Sequence, residues 1–207
     1  MKKIICFLVF IIFLSSGCSI KFNKSENIYR KINSRLIKMK TYEAQADLKY
    51  ISNKNINTYE VDMYCDVNGP YKIKVLSPEN SAGNTTVFDG KYIYQYNSKI
   101  NSCIKTITKE TSERSEIFLS NFIKNYNHSM DSSVSHCNIE KKMCTVLETK
   151  IPQENNYLNS EKLFIDNKTL NPIKLVIFDK DNLERIIVRF NSFKYNVNFK
   201  SSTFKSK

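Results

Sequence analysis

Hydrophobic residues follow three different spacings along this chain, and the first is an unbroken run. Eleven apolar residues, 4–14, come directly after Met1-Lys2-Lys3. As a helix this run would span only about 16 Å at ~1.5 Å per residue, which is too short for a hydrocarbon core of ~30 Å. A basic start followed by a short apolar run is typical of a secretory signal peptide. Residues 1–17 are therefore predicted to be a signal peptide and not a membrane span.

The second spacing is helical. Ile28, Ile32, Leu36 and Met39 recur every three or four residues, and Lys and Arg side chains fill the other sides. This spacing predicts an amphipathic helix whose apolar stripe packs on a sheet. The alternative, a stripe that lies on a membrane surface, stays open at this point.

The third spacing, from residue 41 onwards, is the two-residue alternation of half-buried strands. Residues 59–67 and 71–75 alternate between apolar and polar side chains around the turn signal Asn68-Gly69-Pro70. A three-residue loop is expected there, because it pairs Val67 with Tyr71 and keeps apolar side chains on one face.

Further strands are expected on both sides of a second helix. Asp89-Gly90 suits a type I′ turn between two short strands. The second helix is predicted over residues 112–126. The other predicted strands cover residues 85–88, 91–96, 102–108, 132–137, 144–151, 161–166, 173–178 and 183–190. This order predicts an α+β fold, in which a curled antiparallel sheet (an incomplete β-barrel) is covered on one face by the N-terminal helix and the mid-chain helix.

The end of the predicted signal peptide, Leu14-Ser15-Ser16-Gly17-Cys18, resembles a bacterial lipobox. In a lipobox the Cys receives a diacylglyceryl group and becomes the new N-terminus; the usual Leu three residues before it is Ser15 here. Cys18 is predicted to be lipidated, with simple secretion or an uncleaved anchor as alternatives. Residues 18–25 would then be a tether and residues 26–207 one domain, exported and held at the outer face of a bacterial membrane.

The chain is strongly basic, with 32 Lys and Arg against 20 Asp and Glu and a net charge of +12. Removal of residues 1–17 takes away Lys2 and Lys3 and leaves +10. For an exported lipoprotein the expected counterparts are anionic lipid headgroups, wall polymers or an acidic protein, and not nucleic acid. A solvated surface without a specific partner is the alternative, because the Lys and Asn richness also fits an AT-rich genome.

Four cysteines remain besides the predicted signal peptide and the lipid acceptor. An even number in an exported chain permits disulfides. Cys137 and Cys144 flank a plausible hairpin tip, so their Cα atoms could approach the roughly 5.5–6 Å that a bridge needs. Cys65 and Cys103 form the second candidate pair, or both stay buried as small apolar groups.

No credible catalytic set is found in the sequence. His128 and His136 are the two histidines, and His136-Cys137 with Cys144 lacks the close ligand pairs of a metal site. The sequence contains neither a G-x-S-x-G elbow nor a Gly-rich phosphate loop. It therefore predicts a protein that is not an enzyme and that holds no metal or cofactor.

Two stretches resemble the LolA/LolB-type lipoprotein carrier superfamily. They are TTVFDGKYIYQYN and the ending EKLFIDNKTLNPIKLVIFDKDNLERIIVRFNSFKYNVNF, which follow the predicted N-terminal helix. The resemblance covers roughly residues 24–204 and implies an incomplete antiparallel barrel with helices that close its mouth. In carriers of this superfamily the apolar concavity holds acyl chains.

Within this superfamily the chain is most similar to the clostridial spore germination lipoproteins of the GerS type. This likeness implies a protein of sporulation and germination that binds and activates a cortex-modifying N-acetylmuramoyl-L-alanine amidase (CwlD-type), at a spore or forespore membrane. The alternative is a carrier or sensor of lipid or lipoprotein that binds acyl chains in an apolar barrel cavity. The oligomeric state, including a homodimer, stays open.

Overall fold

The computed structural model describes residues 24–107, 115–155, 157–200 and 202–205. The helices are α1 (Lys24–Ile37) and α2 (Leu119–His128), with a 3₁₀ turn (Ser115–Ile117) before α2. The strands are β1 (Thr41–Ile51), β2 (Ile56–Asp66), β3 (Tyr71–Ser77), β4 (Thr85–Phe88), β5 (Tyr92–Asn97), β6 (Ser102–Ile107), β7 (Ser133–Ile139), β8 (Lys142–Asn155), β9 (Leu158–Asp166), β10 (Pro172–Phe178) and β11 (Glu184–Tyr195). The predicted lipobox with Cys18, and the first residues of the predicted second helix, lie outside the described residues.

The strands form one antiparallel sheet in the order β6-β5-β4-β3-β2-β1-β11-β10-β9-β8-β7. Strands β1–β6 and β7–β11 are two meanders, and the pairing of β1 with β11 joins them into one surface. Because β6 and β7 lie at the two ends of this order, the sheet is not closed into a barrel. The predicted fold class, a curled antiparallel sheet with two helices, is confirmed.

Strand β1 shows how the alternating pattern builds the core. Tyr42, Ala44, Ala46 and Leu48 are buried, and the residues between them are partly exposed. Successive side chains of a strand point to opposite faces of a sheet, so β1 has one apolar and one polar face. The apolar face joins the core cluster that contains residues of α1, α2 and the central strands.

The apolar stripe of α1 packs into this core, as its spacing predicts. Ile32, Leu36 and Met39 are buried, and Ile28 packs against the cluster from its edge. The alternative that the stripe lies on a membrane is thereby excluded. Within the described ranges, neither helix combines the length and the apolar composition that a membrane span requires.

Contacts at its C-terminal end fix α1 on the sheet. The guanidinium of Arg35 lies over the ring of Tyr195, 4.2 Å from its centroid, and donates to the carbonyl oxygen of Thr169 at 3.3 Å. The Tyr195 hydroxyl donates to the carbonyl oxygen of Leu170 at 2.7 Å. These contacts join α1, β11 and the turn between β9 and β10.

The predicted register of the β2–β3 hairpin is wrong by two residues. Tyr71 pairs with Cys65 and not with Val67. The Asp66 carboxylate accepts the N–H of Asn68 at 3.0 Å, and the N–H of Val67 donates to the carbonyl oxygen of Lys40 at 2.9 Å. The turn therefore begins at Asp66, one residue earlier than expected. A shift by two leaves the facing of each side chain unchanged, so the apolar face survives the error.

The turn at Asp89-Gly90 also differs from the prediction. Asp89 pairs with Tyr92, so the central residues are Gly90 and Lys91. Gly90 has a φ of 101° and Lys91 is not among the residues with positive φ, which fits a type II′ turn and not type I′. The Asp89 carboxylate accepts the N–H groups of Lys91 and Tyr92 at 2.8 and 2.7 Å, and these hydrogen bonds hold the pKa of Asp89 below its usual value.

Candidate functional site

The apolar concave face of the sheet is filled in one part and hollow in another. α2 packs against β8, and its side chains Leu119 and Phe122 are fully buried together with Ile117 of the preceding 3₁₀ turn. A cleft of about 940 Å³ opens along β1–β6, the N-terminal meander. It is larger than the cleft of about 600 Å³ beside the β1–β2 turn and is therefore taken as the candidate binding site.

Every described side chain that lines this cleft is uncharged. Isoleucine and tyrosine are the most frequent lining residues, and Ser, Thr, Asn and Gln supply further polar groups. Its apolar walls are Leu48, Val61, Ile73, Val75, Ile93, Ile104, Ile107 and Phe118, with Tyr50, Tyr59 and Tyr71 between them. A wall without charge accepts hydrocarbon without the cost of burying an unpaired ion.

The rim of the cleft at β6 exposes large apolar side chains to solvent. Ile100, Ile104 and Ile107 are 71%, 62% and 70% exposed. Exposed apolar side chains that cluster at one site mark surfaces that contact a ligand or another protein. The β6 rim is therefore part of the candidate site.

Cys65 lies in the core beside the cleft, and its thiol has low reactivity. Its thiol is hydrogen-bonded to the Tyr42 hydroxyl, which also accepts the N–H of Leu119 at 3.4 Å. Burial raises the pKa of the Cys65 thiol and of the Tyr42 hydroxyl far above their usual values. A thiol held in its protonated form is a poor nucleophile, so Cys65 acts here as a small core side chain.

The structure does not bring the second candidate disulfide pair together. Cys65 is buried on β2 and Cys103 is exposed on β6, and β3, β4 and β5 lie between these strands in the sheet order. Neighbouring strands are ~4.8 Å apart, so four steps across the sheet exceed the ~7 Å limit between bridged Cα atoms.

Cys137 and Cys144 lie directly opposite each other in the β7–β8 hairpin. Both are free thiols in this structure. Directly opposed Cβ atoms in an antiparallel pair are ~4.5–5.5 Å apart, so a bridge between them needs only a small adjustment. Burial raises the pKa of the Cys144 thiol, which slows its oxidation.

The two histidines have local structural partners. The Nδ1 atom of His128 is 2.7 Å from the carbonyl oxygen of Lys124, one helical turn away. The Nδ1 atom of His136 is 3.3 Å from the hydroxyl of Thr145, which donates to Asn167 at 2.7 Å. Among the described residues, no group of three or more His, Cys, Asp and Glu side chains is placed to hold a metal ion.

Glu161 is a buried carboxyl that the sequence analysis did not single out. It lies on β9 and is completely buried; Asn125 of α2 donates to its Oε1 atom at 2.7 Å. Its Oε2 atom has no hydrogen-bond partner. Burial, together with the nearby carboxylate of Glu116, raises the pKa of Glu161 to about 7 despite the hydrogen bond from Asn125. Its burial could have been predicted from the sequence, because Glu161 lies on the same face of its strand as Leu163 and Ile165.

This carboxyl should make stability depend on pH. The folded state raises the pKa of Glu161 to about 7, whereas an unfolded Glu titrates near ~4.3. The favourable contribution of the protonated group is therefore complete below pH ~4.3 and is lost as pH rises through 7. We expect wild-type protein to lose on the order of 3 kcal/mol across this range relative to Glu161→Gln, measured by denaturant unfolding at several pH values.

A matched control is Glu148→Gln. Glu148 lies on β8, on the face of the sheet opposite to Glu161, and forms a half-exposed ion pair with Lys162 at 3.1 Å. This variant should keep the pH dependence of wild type. Equal pH profiles for wild type and Glu161→Gln would contradict the assignment.

The sequence of this chain matches a known protein family. The model of a family described as "Sporulation protein YdcC-like" matches residues 1–204. Sporulation protein YdcC of Bacillus subtilis is 20% identical over 198 residues, which are 95% of this chain and 57% of the relative. The chain thus spans little more than half the length of this curated relative.

Two solved structures are similar to this chain. The structure of the CwlD amidase from Clostridioides difficile in complex with the GerS lipoprotein matches at 27% identity and a TM-score of 0.50, over 85% of this chain and 98% of that chain. A LolA superfamily protein from Nitrosomonas europaea matches at 10% identity and a TM-score of 0.45, over 87% and 97% of the two chains. The resemblance to GerS that the sequence indicates is confirmed.

Proposed function

Because the chain belongs to the family of YdcC-like sporulation proteins, we propose that it is a membrane-anchored lipoprotein that binds and activates a cortex-modifying N-acetylmuramoyl-L-alanine amidase. The observation that carries this proposal is the similarity to the solved complex of the CwlD amidase with the GerS lipoprotein. The similarity extends over 98% of the matched chain, so the whole domain, and not one local motif, supports the comparison.

The chemistry of the described residues supports action through a partner and not catalysis by this chain. The Cys65 thiol is buried with a raised pKa, and both histidines are engaged with neighbouring backbone or hydroxyl groups. Glu161 is enclosed beneath α2, where a substrate has no access to its carboxyl. The Thr145 hydroxyl lies beside the His136 imidazole, but it is fully buried and donates to Asn167, so this pair is not arranged as a nucleophile activated by a base.

The proposal includes the lipid anchor at Cys18. A lipidated Cys18 would hold the domain at the outer face of the membrane that surrounds the forespore, where the cortex is built. The amidase acts on that cortex, so anchoring would keep the lipoprotein and its partner in the same narrow layer.

Complex formation is the first expected result. The mature chain mixed with a cortex amidase of the CwlD type from the same organism should elute from a gel-filtration column as one complex of defined stoichiometry. A domain whose core is broken by Phe122→Ala, at a fully buried position, should lose the complex together with its fold. Separate elution of two folded proteins at every concentration tested would contradict the proposal.

The cleft favours a second candidate function, the carriage or sensing of lipid. Its volume of about 940 Å³ lies at the upper end of the ~300–1,000 Å³ that small-molecule sites occupy. The uncharged wall matches the hydrocarbon of an acyl chain. Lipid that co-purifies in stoichiometric amount, without an amidase complex, would favour this second function.

A further inference from the structure

We infer that the solvent-facing side of α1 is a docking surface for the anionic lipid headgroups of the membrane to which the chain is anchored. Residues 24–40 contain six Lys and Arg but only one acidic residue, Glu26. Their net charge of +5 is half of the +10 that remains without residues 1–17. The excess positive charge is thus concentrated next to the predicted anchor.

Helix geometry places three of these six basic side chains on one side of α1. At ~100° per residue, Ile37, Arg30, Ser34, Lys38 and Lys31 fall in that order within an arc of roughly 120°, opposite the buried stripe. Lys38 follows the last residue of α1 and continues its turn, since its N–H donates to the carbonyl oxygen of Ser34 at 3.2 Å. All five side chains are exposed. Ile37 is 62% exposed at one edge of this arc.

The charge of this face is only partly compensated. Glu26 pairs with Arg30 at 2.7 Å, and Arg35 is engaged with Tyr195. No ion pair within the described ranges involves Lys31 or Lys38. The exposed Lys168 lies next to Thr169, which contacts Arg35, and so extends the positive surface beyond the helix.

Chain length places this face beside the membrane. This step depends on the anchor at Cys18 that the proposed function includes. Six residue steps separate Cys18 from Lys24, and at ~3.6 Å per residue they reach at most ~22 Å. Anionic headgroups attract basic segments within a Debye length of ~8–10 Å. The start of α1 is therefore held where its Lys and Arg side chains can reach headgroup phosphates, and their binding would fix the orientation of the domain.

The experiment uses the mature chain, residues 18–207, with Cys18→Ser, which retains every residue that the structure describes. Its binding is measured by flotation with vesicles of phosphatidylcholine, with and without phosphatidylglycerol, at low and high salt. Binding should require phosphatidylglycerol and decrease with salt. Lys31→Gln with Lys38→Gln should weaken it roughly thirtyfold, since each Lys near an anionic surface contributes roughly fivefold.

The matched control is Lys54→Gln with Lys180→Gln. These exposed lysines lie in the β1–β2 and β10–β11 turns, at the far end of β1, ~30 Å from Thr41 at ~3.3 Å per residue. The control should bind like the parent chain, and all variants should unfold at the same temperature as the parent. Equal weakening by the two pairs of substitutions, or no requirement for phosphatidylglycerol, would overturn the inference.

Amidase binding by the same variants separates this inference from the proposed function. Lys31→Gln with Lys38→Gln should form the amidase complex as the parent chain does. Loss of the amidase complex with unchanged vesicle binding would assign the face to a protein partner and overturn the lipid assignment. The chain used in flotation carries no lipid, so its binding to vesicles tests the basic face whether or not Cys18 is acylated in the cell.

Discussion

Leu36→Ala and Ile32→Ala should each lower the free energy of unfolding by about 2–5 kcal/mol. Both side chains project from α1 into the core and are only 5% and 1% exposed. Truncation removes buried methyl groups and leaves a cavity, and the contacts of Arg35 with Tyr195 and Thr169 oppose a shift of α1 that would close it. Equilibrium unfolding in urea measures the effect.

Ile37→Ala is the matched control for these two substitutions. Ile37 belongs to the same helix but is 62% exposed, so its truncation should change the free energy of unfolding by no more than ~0.5 kcal/mol. Losses near zero for Ile32 and Leu36 would contradict the packing of α1 on the sheet.

Cys18→Ala should release the protein from membranes or stall its processing. Two acyl chains on a Cys hold a protein stably at a bilayer, whereas a single chain gives only marginal binding. With no acyl chain, the basic face of α1 would supply weak, salt-dependent binding. Membrane fractionation of expressing cells at high salt measures the effect.

Cys6→Ala is the matched control for the anchor. Cys6 lies within the apolar run of the predicted signal peptide, so its replacement should leave the mature protein in the membrane fraction. Wild-type mature protein that fractionates as freely soluble would contradict the prediction of an anchor.

Periodicity alone predicted most of the fold. The three- and four-residue spacing of Ile32, Leu36 and Met39 identified the buried face of α1. Alternation located the strands of both meanders except β1 (Thr41–Ile51), for which no separate strand was predicted. The prediction succeeds because burial of one face dominates local structure formation, and burial leaves a periodic trace in the sequence. The register of strand pairing depends on individual hydrogen bonds in the turns. At Asp66 a single side-chain hydrogen bond to the N–H of Asn68 starts the turn one residue early.

The candidate site was harder to predict from the sequence than the fold was. β2 and β9 both bury alternate residues over part of their length, yet the concave face is hollow along the N-terminal meander and is filled where α2 packs against β8. Which part a helix covers depends on tertiary packing that no local pattern records. Glu161 illustrates the same limit, since its burial follows from strand parity but its contact with Asn125 follows from the placement of α2.

The proposed role requires a specific form of coupling. A lipoprotein that activates an amidase must bind the competent state of that enzyme more tightly than its inactive state, because a ligand shifts an equilibrium only by differential affinity. Saturation of the activity at the stoichiometry of the complex is therefore expected, and so is equal loss of binding and activation in variants that break the core.

The activity of the purified cortex amidase, measured on peptidoglycan while the mature chain is added in increasing amounts, tests the central claim most directly. The account predicts no amidase activity for the chain alone, and a rise in the activity of the enzyme that saturates when the complex is complete. Amidase activity that stays unchanged throughout the addition, with no complex formed and with lipid bound to the chain in stoichiometric amount, would contradict it.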